Sequence, residues 1–99
     1  MTVYKSKFGV VNEESLILYK PKHETISLNS ISEVKIIKKK HDLNYFLNLI
    51  KNKDYDFIIV LDNREQIEFS FGKKNLGNAV AFKNRILHMK FSIQESIMN

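Results

Sequence analysis

Between Asp56 and Gly72 the chain carries two strands and the turn that joins them, and this unit limits the rest of the fold. Phe57-Ile58-Ile59-Val60-Leu61 is an unbroken apolar run of strand length, suited to burial on both faces. Asp62-Asn63-Arg64 makes a tight hairpin turn. Ile67, Phe69 and Phe71 then alternate with Gln66, Glu68 and Ser70, which gives a strand with one apolar face, ended by Gly72. A one-faced sheet needs a cover, and the next segment supplies it. From Lys74 to about Ile93 the period changes to that of a helix. Leu76, Ala79, Val80, Ile86 and Leu87 lie close to one stripe, Phe82 and Met89 lie beside it, and Lys83, Asn84 and Lys90 are expected to face water. Gly77 weakens the first turn by about 1 kcal/mol relative to alanine. Ile97 and Met98 are expected to fray.

The first half of the chain reads as β. Tyr4 to Val11 is expected as one strand, with Gly9 marking a bulge or a close backbone approach. Asn12-Glu13-Glu14 turns the chain, and Leu16 to Tyr19 forms a strand ended by Lys20-Pro21-Lys22. Thr25 to Leu28 alternates with period 2, Asn29-Ser30 turns, and Glu33 to Lys38 is the next strand. Asp42 to Lys51 fits two periods. Leu43, Phe46, Leu47 and Ile50 match a helical face with Asp42 as N-cap, while Tyr45, Leu47 and Leu49 match one face of a strand.

Ninety-nine residues without a repeat, a linker or a low-complexity tract imply one domain over residues 1–99. With 43% apolar and 27% charged residues the composition is that of a globular protein, which argues against wholesale disorder. There is no cysteine, which excludes a disulfide framework, a thiolate metal site and a cysteine nucleophile. The opening Met1-Thr2-Val3-Tyr4-Lys5-Ser6-Lys7 alternates and does not read as a signal peptide, and the longest apolar stretch is Phe57 to Leu61. A cytoplasmic location is the expectation.

The net charge of +5 is segregated. Residues 1–34 balance, residues 35–53 carry +5, residues 54–72 carry −4, and residues 73–99 carry +4. Lysine, isoleucine and asparagine make 36 of the 99 residues, so AT-rich coding accounts for the lysine surplus as readily as selection for a partner does.

Catalytic patterns are missing. His23, His41 and His88 lie in a turn, at a strand end and in the helix, and none has a helical i+4 histidine partner or a carboxylate cluster around it. Gly72-Lys73-Lys74-Asn75-Leu76-Gly77 does not meet the spacing of a phosphate loop. The expectation is therefore no enzyme, no catalytic residue, no metal and no cofactor.

Two stretches carry a resemblance. Ile26, Leu28, Ile31 and Val34 have the I-x-L-x-x-I-x-x-V spacing found where a third strand leads into a fourth. Asp56 to Leu87 gives a strand, a hairpin, a phenylalanine-ended strand and a helix with Ala79-x-x-Phe82-Lys83-x-x-Ile86. In these features the chain resembles the bacterial pleckstrin-homology-like (PH-like, GRAM-like) domains over nearly its whole length. The resemblance implies a mainly β fold with α+β content: about seven strands in two antiparallel sheets, forming a half-open barrel closed by one C-terminal helix over about 74–93. It also supports the strand reading of residues 42–51. The chain departs from the family in having no tryptophan in the closing helix and an acidic first loop, Asn12-Glu13-Glu14, with Lys5, Lys7 and Lys20 nearby but no arginine. The inositol-phosphate positions of lipid-binding members do not carry over.

The resulting expectation is a non-catalytic interaction module of a bacterial cytoplasm, binding another protein or a second copy of itself. The PH-like scaffold implies peptide binding between the closing helix and the neighbouring sheet edge, and a free strand edge suffices for strand addition. The alternative is peripheral attachment to an anionic membrane surface through Lys35, Lys38, Lys39 and Lys40, with Tyr45, Phe46 and Leu47 entering the interface. The same lysines also serve as a solvated strand end that discourages edge pairing. Single-stranded nucleic acid is a lesser alternative, since only two of the 16 basic residues are arginine.

Overall fold

Within each sheet, the described strands pair antiparallel in the order of the sequence. The computed structural model describes residues 3–39 and 53–98, and side chains as far as Phe91. Strands β1 (Tyr4–Lys5), β2 (Gly9–Val11), β3 (Ser15–Leu18) and β4 (Glu24–Ser27) form one sheet in that order. A 3-10 turn, Leu28–Ser30, leads to the second sheet: β5 (Ile31–Lys38), β6 (Tyr55–Leu61) and β7 (Gln66–Phe71). Helix α1 (Leu76–Met98) follows a second 3-10 turn, Lys73–Asn75. The protein is thus mainly β, with two antiparallel sheets and one C-terminal helix. The described strands of the two sheets do not pair with each other, so they do not close a barrel.

The expected strand from Tyr4 to Val11 is instead a hairpin. Ser6 and Gly9 exchange backbone hydrogen bonds at 2.8 and 3.3 Å, which folds Lys7 and Phe8 into a turn. The reason is the destination of Phe8. Its ring lies 5.2 Å from that of Phe69, 5.9 Å from Phe71 and 5.9 Å from Phe82, at the centre of the core. Gly9 makes the close approach its sequence context suggested: a Cβ there would lie 2.3 Å from the carbonyl oxygen of Ile17. Seven strands are present among the described residues because the first expected strand divides in two. Residues 42–51, whose conformation the sequence left open, lie outside the described residues.

Helix α1 buries Ala79, Phe82, Ile86 and Met89, a stripe rotated from the expected one. Val80, expected inside, is 42% exposed. The large ring of Phe82 sets this rotation by packing, tilted, into the space between Phe8 and Phe57, 5.6 Å from the latter. Lys90 does not face open water as expected, because its ammonium donates to the carbonyl of Ile31 at the start of β5. The helix also continues to Met98 where fraying was expected. No proline or glycine follows Gly77 to stop it.

Candidate functional site

The two sheets approach each other along β4 and β7, and a cleft of about 690 Å³ runs between them. Its walls are Glu24 to Ser27 on one side and Glu65 to Glu68 on the other, with Pro21, Lys22, Ser30 and Leu61 at its ends. Each strand contributes consecutive residues. A cleft over the face of a sheet would take alternate residues, so this one follows the strand edges. Among the described residues both strands are edges: β4 ends the first sheet and β7 ends the second.

Hydrogen-bond alternation fixes which backbone groups point into the cleft. In β7 the Leu61 N–H donates to the Glu65 carbonyl at 2.9 Å. Bonded pairs then recur at Ile59–Ile67 and Phe57–Phe69, so Gln66 and Glu68 turn their N–H and C=O away from β6. In β4 the Leu28 N–H donates to the Glu14 carbonyl at 3.0 Å. By the same alternation Ile26 and Glu24 bond β3, and Thr25 and Ser27 face outward. The Ser27 carbonyl is occupied by the Ser30 hydroxyl, which donates to it at 2.7 Å. Among the described residues the cleft therefore presents unpaired strand edge on both sides.

Its charge is mostly negative. Glu24, Glu65 and Glu68 line it against Lys22, whose ammonium is 3.9 Å from Glu24. The sequence shows the acidic character of residues 54–72 but not which acids are free. Asp54 is buried and accepts from the Lys73 N–H at 3.1 Å. Asp56 accepts from the Ser70 hydroxyl at 2.8 Å and pairs with Lys39 at 3.5 Å. Among the described acids of that segment, Asp62, Glu65 and Glu68 are the exposed ones. Apart from Ile26, which belongs to the apolar I-x-L-x-x-I-x-x-V spacing, the residues of this cleft carried no binding motif. Their signal, two strands with no further partner among the described residues, exists only once the pairing order is known.

The lysine run expected as an anionic-surface site is divided. Lys35 is half-buried in β5, Lys38 is exposed, and consecutive strand residues alternate faces, so these two lie on opposite sides of the sheet. Lys39 is engaged by Asp56 and also donates to the Ser70 hydroxyl at 3.2 Å. Lys40, Tyr45, Phe46 and Leu47 lie outside the described residues. The edge of β5 beside α1, where the resemblance implies peptide binding, has its first carbonyl, that of Ile31, bonded by Lys90.

Among the described residues no three His, Asp or Glu side chains group as metal ligands, and no helix is long and apolar enough to cross a membrane. Compared with family models, curated proteins and solved structures, the chain finds no match.

Proposed function

We propose that this chain is a PH-like, non-catalytic interaction module that takes up a segment of another protein as an added strand in the cleft between β4 and β7. One observation carries the reading: the cleft is bounded by two sheet edges whose N–H and C=O groups, at Thr25, Gln66 and Glu68, have no strand partner among the described residues. Such groups bind an extended chain through main-chain hydrogen bonds. At about 690 Å³ the cleft falls within the usual range of ligand sites. The PH-like part of the reading rests on the sequence resemblance; two antiparallel sheets and one C-terminal helix are compatible with it, although Ile31–Lys38 begins the second sheet instead of ending the first. Protein binding ranks above membrane attachment because Lys39 is held by Asp56, and Lys35 and Lys38 lie on opposite faces.

The test is selection of random peptides against the protein, followed by their binding to Glu68→Pro. Proline at an edge position removes an outward N–H and leaves the bonds to β6 intact. Selected peptides are expected to lose binding to this variant while its unfolding midpoint changes little. Peptides that bind it as well as the parent protein would sink the cleft reading. Salt-reversible sedimentation with anionic vesicles, lost in Lys35→Glu/Lys38→Glu, would move the assignment to the membrane.

A further inference from the structure

The charge of the cleft narrows what can occupy it. Glu65 and Glu68 flank the open edge of β7, and Glu24 faces them from β4. A strand laid beside β7 would bring its side chains opposite Glu68 at cross-strand distance, where opposite charges attract and like charges repel. A second copy paired through the same edge would set Glu65 and Glu68 against their own counterparts, which disfavours that dimer. We infer that the segment bound in this cleft is basic: an extended peptide of another protein with lysine or arginine at alternate positions, its backbone on the β7 edge and its cations on the face of the sheet that carries Glu68. This inference rests on the cleft being the docking site.

The net charge of the chain makes the inference selective. At +5 the whole molecule repels a basic peptide at long range, so binding of one reports the local field of the cleft. The remaining acids of residues 54–72 do not compete for that role. Asp54 and Asp56 are held by Lys73 and Lys39, and Asp62 does not line the cleft. Acids at an open edge thus do two things: they reject neutral aggregation and copies of the same edge, and they admit a strand of opposite sign.

The experiment uses three synthetic peptides of equal length, alternating Lys-Val, Glu-Val and Thr-Val, titrated into the full chain at physiological ionic strength. Backbone amide shifts locate the contact and fluorescence anisotropy gives the affinity. The expected result is that Lys-Val shifts the Gln66 and Glu68 amides, and that Glu65→Lys/Glu68→Lys weakens it about tenfold while improving Glu-Val. Equal binding of all three peptides at those amides, or a preference for Thr-Val or Glu-Val, would overturn the basic partner and leave strand addition standing. Concentration-dependent shifts of the same amides without peptide would overturn it in favour of a second copy. No shift at Thr25, Gln66 or Glu68 with any peptide would remove both the basic partner and the cleft reading.

Discussion

The side chain of Asp54 accepts a hydrogen bond from the Lys73 backbone N–H at 3.1 Å, joining the start of β6 to the entrance of the closing helix. The 3-10 turn that begins at Lys73 receives no side-chain cap from its own preceding residue, Gly72, so a residue far back in the sequence performs that task. Asp54 is 2% exposed. Removing its oxygen leaves a donor near the interior unsatisfied. Asp54→Ala is expected to destabilise the protein by about 1–3 kcal/mol, and Asp54→Asn, which keeps an acceptor, by less. Urea unfolding of both variants checks the ordering, and equal losses would show that the hydrogen bond is not what stabilises the site.

Phe82 is fully buried between the rings of Phe8 and Phe57. Phe82→Ala is expected to cost about 3–5 kcal/mol, a large share of the stability of a domain this size. Thermal unfolding measures the loss. Val80→Ala, on the exposed side of the same helix, should change the midpoint little.

Gly9 pairs with Leu18 across β2 and β3, and the Ile17 carbonyl occupies the space a side chain would need. The clashing atom belongs to the backbone and cannot rotate away. Gly9→Ala should therefore destabilise by about 1–3 kcal/mol. An unfolding midpoint equal to that of the parent protein would contradict the close approach. Gly77 meets nothing within 4 Å, so Gly77→Ala should stabilise by up to about 1 kcal/mol.

Arg64 has φ of 71° in the turn between β6 and β7. Its N–H donates to the Leu61 carbonyl at 2.9 Å, and Leu61 in turn donates to Glu65. This is a three-residue hairpin whose last position is left-handed, a place that favours glycine. Arg64→Gly is expected to raise stability by about 0.5–1 kcal/mol, read as a higher melting temperature. A lower melting temperature would mean that the arginine side chain contributes more than its backbone costs.

The elements with strict period were legible in the sequence. β6, β7 and their turn lie within a residue of where the apolar run and the alternation put them, because one buried face fixes strand register. Tyr4 to Val11 was misread because a turn residue, Phe8, belongs to the core, and alternation alone does not reveal a reversal of direction. The helix was found but its rotation was not. Val80 and Ala79 are both apolar and adjacent to the same stripe, and the packing of the Phe82 ring decides that Ala79 and not Val80 faces inward. The cleft was the least legible feature. Sequence lists the charges of Glu24, Glu65 and Glu68, but their meeting depends on β4 and β7 both lacking an outer neighbour among the described residues.

Sequential pairing has a consequence for the order of events during synthesis. Each sheet is made from one continuous stretch of chain and can pair its strands as they emerge. Neither sheet can hide its apolar face until Phe82 and Ile86 follow. Phe8 and Phe57 therefore wait for a lid that is made after both sheets. A chain stalled before α1 would be a pair of sheets with sticky inner faces, prone to associate with its own kind before it could become a domain.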